Sequence, residues 1–135
     1  STAVGWGASG TSYYVDYDAT DTYVNFNVNG NKQFLLFGDT DQDGIVESAG
    51  SITDLHLKFP DASGNFVLLV KQDSSGSRTI TNYKTWDQDD GNESTVVWAG
   101  GSNPTLTTTG NKLDIMSFYW DNVNHKAYGT VVHNF

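Results

Sequence analysis

The residues best placed to do chemistry form an acidic run at positions 39–47, Asp-Thr-Asp-Gln-Asp-Gly-Ile-Val-Glu. Its first carboxylates occupy alternate positions, and a loop that turns around a Ca²⁺ ion presents every second side chain to the ion. Gly44 permits the sharp reversal that such a loop needs, and the residue after it offers a backbone carbonyl. The pattern predicts a calcium site whose ligands are Asp39, Asp41, Asp43, the carbonyl of Ile45 and, directly or through water, Glu47.

The match to an EF-hand loop is only partial. Position twelve, which should carry a bidentate carboxylate, is Gly50, although Asp54 could complete a different geometry. The alternative interpretation is a solvated acidic turn between two strands. A second acidic segment, 87–93, has less regular spacing and is interpreted as an exposed loop.

No set of catalytic residues accompanies these acids. His56, His125 and His133 are far apart in the sequence and form no metal-binding motif. Paired carboxylates can hydrolyse glycosides, but they do so in a cleft where one of them has a raised pKa. These acids crowd into Gly-rich turns that keep them ionised. We therefore expect no enzymatic activity and interpret the histidines as surface or interface residues.

The aromatic content allows two interpretations. Exposed rings could stack on sugars, as in a carbohydrate-binding module, whereas buried rings would fill sheet cores or subunit contacts. The second interpretation is favoured, because β-domains of this size need large side chains to close their cores. The residues concerned are Trp6, Tyr13, Tyr14, Tyr83, Trp86, Trp98 and Trp120.

Composition excludes several classes of protein. With 135 residues the chain is long enough for one domain, 1–135. A net charge of -9 disfavours nucleic-acid binding, and the absence of cysteine removes disulfides and thiolate sites. Extra stability would then come from oligomerisation or bound cations. Neither a signal peptide nor an apolar run of membrane-spanning length is evident, so we expect cytoplasmic synthesis and no membrane partner.

Alternation of apolar and polar residues with a period of two recurs along the chain, and Asn-Gly and Gly-rich turns separate the alternating segments. The pattern predicts an all-β fold, an antiparallel β-sandwich or barrel-like domain of about eight or nine short strands with little or no helix. The expected strands lie at 13–17, 23–28, 34–37, 55–59, 66–70, 95–98, 113–120 and 127–133.

The last two of these strands form a pair whose apolar face needs a cover. Such a pair holds its shape only if another sheet, or another copy of the chain, packs against it. We expect the core or the subunit contacts to be closed by Leu113, Ile115, Phe118, Trp120, Val131 and Phe135.

Three segments, in order, resemble motifs of tailed-bacteriophage virion proteins. The first is Val70-Lys-Gln-Asp-Ser-Ser-Gly-Ser-Arg-Thr-Ile80, and the second runs from Asn103-Pro-Thr-Leu-Thr to Leu113-Asp-Ile-Met-Ser-Phe118. The third is the closing hairpin with the terminal Asn134-Phe135. The resemblance covers about residues 52–135, and it departs from the family at 97–104, where the usual aromatic-Pro-Gly-Gly lead-in is absent.

The resemblance implies a β-rich, often trimeric component of the virion and supplies no catalytic residues. We therefore predict a non-enzymatic bacteriophage structural protein on the particle surface, a homotrimeric head decoration (cement) protein or a tail-fibre tip domain. Its partners would be further copies of itself, the major capsid protein or tail components, with a host-surface glycan as a further candidate. The alternative is a secreted, calcium-stabilised carbohydrate-binding module.

Overall fold

A computed structural model describes residues 15–88 and 91–135, and these form two five-stranded sheets. Sheet A has the order β1-β2-β4-β6-β7, and sheet B has the order β3-β5-β9-β10-β8. The strands are β1 (Val15–Asp16), β2 (Asp21–Asn25), β3 (Lys32–Leu36), β4 (Ile52–Phe59), β5 (Gly64–Lys71), β6 (Ile80–Asp87), β7 (Glu93–Thr95), β8 (Val97–Trp98), β9 (Leu113–Asp121) and β10 (Lys126–Val132).

The predicted all-β class is confirmed. A single 3₁₀ turn, Ala99–Gly101, is the helical structure in the described ranges. None of the described residues belongs to a helix with the length and apolar character that crossing a bilayer requires. The two sheets pack face to face and are not closed into a barrel, so the sandwich is the architecture found.

The sheets are mixed, whereas the sequence predicted antiparallel pairing throughout. Strands β2, β4 and β6 run parallel to one another, and so do β3 and β5. The reason lies in the path of the chain, which alternates between the sheets from β2 to β6. Each strand of one sheet serves as the crossover that parallel neighbours in the other sheet require. Alternation along a strand reveals its buried face but not its neighbours.

An aromatic cluster joins the two sheets at the centre of the sandwich. Phe59 of sheet A stacks on Trp120 of sheet B, with ring centroids 4.8 Å apart and an interplanar angle of 6°. The same phenylalanine contacts Phe66 at 5.5 Å and Phe118 at 6.0 Å. The rings of Phe59 and its partners are almost fully buried. Burial of each large side chain contributes about 1.5–3 kcal/mol to stability.

The six predicted closing residues lie in three different environments. Phe118 and Trp120 are buried in the core, and Val131 packs partly against it. Leu113 and Ile115 lie on the opposite face of β9, half-buried, because successive side chains of a strand point to opposite faces. Phe135 is 57% exposed, and its backbone exchanges two hydrogen bonds with Leu113 at 2.8 and 3.1 Å.

Replacement of Phe59 by Ala tests the aromatic cluster. We expect the free energy of unfolding to fall by about 3–5 kcal/mol, the usual cost of deleting a buried aromatic ring. Val123→Ala is the control, since Val123 is 82% exposed and its truncation should change stability by less than about 0.5 kcal/mol. Denaturant titration measures both. Equal midpoints for the two variants would contradict the central position of Phe59.

Candidate functional site

The acidic segment forms a tight loop between β3 and β4. One oxygen from each of Asp39, Asp41, Asp43 and Glu47 lies within 4.8 Å of the others. Asp39 lies beneath the loop, only 5% exposed, and accepts hydrogen bonds from the Gly44 amide at 2.9 Å and the Asp43 amide at 3.2 Å. The loop can turn this sharply because Gly44 adopts a left-handed φ of 87°.

The electrostatics of the loop are those of crowded carboxylates. Burial raises the pKa of Asp39, and the negative charges of Glu47 and Asp43 raise it further. Hydrogen bonds from the backbone amides of Gly44 and Asp43 oppose this rise. A hydrogen bond from the Ile45 amide, 2.8 Å long, lowers the pKa of Asp43. The Ile45 side chain points to solvent and is 64% exposed. Four carboxylate oxygens are the donors a hard divalent cation prefers, so a metal fits this loop and Ca²⁺ stays a prediction.

Asp54 lies outside this loop, on the outer face of sheet A. It accepts a hydrogen bond from the Asn82 amide group at 2.8 Å, and the Lys84 ammonium lies 3.6 Å away. The Asn82 bond and the charge of Lys84 lower the pKa of Asp54, although burial opposes them. Asp54 is therefore stabilised as an anion by its neighbours on β6.

The three histidines occupy separate places, and each contacts a carboxylate. His125 pairs with Asp87, and His133 Nδ1 lies 3.1 Å from Asp114. His56 is more enclosed than its polar strand position suggests, with only 8% of its surface exposed. Its ring stacks on the Tyr23 ring at 4.5 Å. The partners that enclose it come from other strands, so the alternation in β4 alone could not reveal them.

Two carboxylates flank the His56 ring. Its Nε2 lies 2.8 Å from Asp21 of β2, and its Nδ1 lies 3.5 Å from Glu93 of β7. Lys58, two residues along β4, places its ammonium 4.9 Å from the centre of the Tyr23 ring and 4.5 Å from that of Trp86. The outer face of sheet A is thus a continuous surface of aromatic and charged side chains.

The seven aromatic residues considered in the sequence analysis lie in different parts of the protein. Tyr83, Trp98 and Trp120 are buried in the core, as the favoured interpretation expected. Trp86 instead lies half-exposed on the outer face of sheet A, with the Lys58 ammonium over its ring. The remaining three, Trp6, Tyr13 and Tyr14, lie outside the described residues.

The outer face of sheet B carries more aliphatic side chains, and its lysines, Lys32, Lys71 and Lys126, lie at its margins. Register places Leu69, Ile115 and Val132 in one row across β5, β9 and β10. A second row runs through Tyr119 and Tyr128, which are 46% and 45% exposed. Together with Val67 of β5 and Val97 of β8, these residues define what we call the apolar face.

The segments that carry the phage resemblance meet in space. Gln72, buried just after β5, donates hydrogen bonds to the carbonyls of Arg78 and Thr107 at 2.8 and 3.0 Å. Asp73 pairs with Arg78 at 2.7 Å, and the Ser77 amide donates to the Thr108 carbonyl at 2.7 Å. The first two motifs are therefore one interlocked structural unit.

Gly76 and Asp114 complete this unit. Gly76 adopts a φ of 72°, and a side chain there would collide with the backbone of 108–110. Asp114 is 2% exposed and accepts hydrogen bonds from the Thr107 amide at 2.7 Å and the Asn134 amide at 2.9 Å. Burial tends to raise the pKa of Asp114, but these bonds and that of His133 outweigh it and lower the pKa.

Comparison with protein-family models, curated proteins and solved structures found no match. The resemblance to phage virion proteins therefore stays a prediction drawn from the sequence motifs.

The calcium prediction is tested by thermal unfolding with Ca²⁺ and with a chelator. We expect Ca²⁺ to raise Tm, because a ligand that binds only the folded state stabilises it. Asp41→Asn should abolish most of this rise. The control is Asp61→Asn, which removes a carboxylate from the loop that joins β4 to β5. An identical Tm in both conditions for the unmodified chain would identify the loop as an acidic turn without metal.

Because the pKa of Asp114 is lowered in the folded state, we expect the stability of the protein to depend on pH in the acid range. Its folded pKa lies below the unfolded value of about 3.9, so its contribution is present above that value and is lost as pH falls through the folded pKa. Asp114→Asn should reduce stability at neutral pH by about 1.5–3 kcal/mol, the worth of hydrogen bonds to a charged group.

The same variant should also flatten the loss of stability below about pH 4, the region where the unfolded carboxyl titrates. Asp16→Asn, at an exposed position in β1, is the matched control for removing one carboxylate. Chemical denaturation across the acid range measures both variants. Parallel acid limbs for Asp114→Asn and the unmodified chain would contradict the assignment.

Proposed function

We propose that this chain is a non-enzymatic structural protein of a tailed-bacteriophage virion, a homotrimer on the particle surface. The single observation that carries the proposal is the apolar face of sheet B. Exposed apolar side chains that cluster on one face of a soluble protein often mark an interaction site. The covering partner proposed is the same face of like copies.

The distribution of charge favours this face over the rest of the surface. The chain carries a net charge of -9, so copies repel one another wherever acidic loops meet. Hydrophobic contact between copies is therefore favoured where charged groups are scarce. The rows through Ile115 and Tyr119 contain no charged residue on β5, β9 or β10.

The interlocked motifs support the family part of the proposal. Gln72, Asp73 and Asp114 are buried, and their side chains make the hydrogen bonds and the ion pair that hold the β5–β6 loop and the lead-in to β9. Residues used in this way preserve a shape and are not free to act on a substrate.

Sedimentation velocity tests the assembly. We expect the unmodified chain to sediment as a trimer, and Tyr119→Lys with Val132→Lys to yield a monomer, because two lysines would lie within the contact. Both side chains are exposed, 46% and 57%, so the fold should tolerate the change. The matched control carries Thr53→Lys and Ser94→Lys, at exposed positions of sheet A, and adds the same charge. It should remain a trimer.

The location on the particle is tested separately, by mass spectrometry and electron microscopy of purified virions. A trimer at capsid three-fold positions would identify a decoration protein, and attachment at the tail would identify a fibre domain. A chain that is monomeric at every concentration and absent from particles would overturn the proposal.

A further inference from the structure

A cavity of about 260 Å³ opens on the outer face of sheet A. It is lined by Tyr23, His56, Lys58, Trp86 and Glu93. All five residues belong to strands, β2, β4, β6 and β7, which are hydrogen-bonded side by side. A site built on strands keeps its geometry better than one built on loops.

The lining is already ordered by contacts among its own members. The Lys58 ammonium lies 4.9 Å and 4.5 Å from the ring centres of Tyr23 and Trp86, and such cation–π contacts fix a flexible side chain. His56 is stacked on Tyr23 and flanked by Glu93. A ligand would therefore meet groups that lose little conformational freedom when it binds.

The chemistry of the lining selects the class of ligand. Aromatic rings offer flat apolar surface, while Lys58 offers hydrogen-bond donors and Glu93 offers acceptors. An anionic ligand would meet Glu93, with Asp21 close behind, on a chain of charge -9. A cationic ligand would meet the Lys58 ammonium, which already occupies the position over the Tyr23 and Trp86 rings that a cation would take. The lining is thus suited to a neutral molecule with both an apolar face and many hydroxyl groups.

We propose that this cavity binds a neutral sugar ring, with one apolar face of the sugar against the exposed part of the Trp86 indole and hydroxyls directed at Lys58 and Glu93. Its volume lies slightly below the usual range of about 300–1,000 Å³ for small-molecule sites, which fits one monosaccharide unit. The inference that this sugar belongs to a host surface rests on the proposed function. Sugar binding by the cavity does not depend on that function.

Amide and indole NMR shifts of the intact chain provide the test. The probes are glucose, galactose, mannose, rhamnose and N-acetylglucosamine, with glucuronate as an anionic comparison, each titrated to high millimolar concentration. We expect saturable shifts at Tyr23, Lys58 and Glu93 and at the Trp86 indole with at least one neutral sugar. Glucuronate should bind more weakly than glucose.

Variants assign the shifts to this cavity. Trp86→Ala should raise Kd about tenfold, the loss expected when one stacked aromatic ring is removed. Glu93→Gln, at an exposed position, keeps the shape but removes a charged acceptor and should weaken binding several-fold. Tyr119→Ala, on the apolar face, is the control and should leave Kd unchanged. The dispersed spectrum of each variant shows that it is folded.

The possible outcomes distinguish the sugar site from the virion proposal. No saturable shift at the lining residues with any sugar, or equal affinity in Trp86→Ala, would overturn the sugar site while leaving the virion proposal intact. Sugar binding by a chain that is absent from particles would support the site and overturn the virion proposal in favour of a secreted carbohydrate-binding module.

Discussion

The contact between Phe59 and Trp120 is the interaction on which the remaining structure depends, because it joins the two sheets at their centre. Each strand has two faces, and the sandwich core uses only one face of each sheet. The side chains that alternate with this core are therefore placed on the two outer faces. The cavity on sheet A and the apolar face of sheet B lie on these two outer faces.

The two outer faces differ because the strands that form them differ. The chain crosses between the sheets from β2 to β6, which aligns β2, β4 and β6 in parallel and brings Tyr23, Lys58 and Trp86 together. Sheet B is dominated instead by the antiparallel strands β5, β9 and β10. Their outward residues include Val67, Leu69, Ile115, Tyr119, Tyr128 and Val132, with polar residues such as Ser117 and Thr130 between them. One face is thus suited to a small polar ligand and the other to a protein surface.

The loop after β5 and the loop before β9 interlock, and together they stabilise the sandwich at one end. Hydrogen bonds from neighbouring backbone and from Arg78 lower the pKa of Asp73 despite its burial, so it remains ionised and paired. Asp114 ties the lead-in to β9 and the chain end to the same region. The apolar face is therefore presented by strands whose connections are fixed.

Much of the fold could be predicted from the sequence, since alternation located most strands and spacing located the acidic loop. The four side-chain carboxylates predicted there do come together, and the buried position of Asp39 could not be foreseen. The expected strand at 95–98 is divided, with β7 in sheet A and β8 in sheet B. The enclosure of His56 depends on Asp21 and Glu93, which only the strand order brings near. Sheet order and cross-strand partners are properties of tertiary packing and leave no local pattern.

Hydroxyl-radical footprinting can show whether like copies cover the apolar face. As protein concentration rises through assembly, we expect Tyr119 and Tyr128 to become protected while Tyr23, on sheet A, stays equally reactive. Unchanged reactivity of Tyr119 and Tyr128 at every concentration, or protection centred on Tyr23, would contradict this expectation.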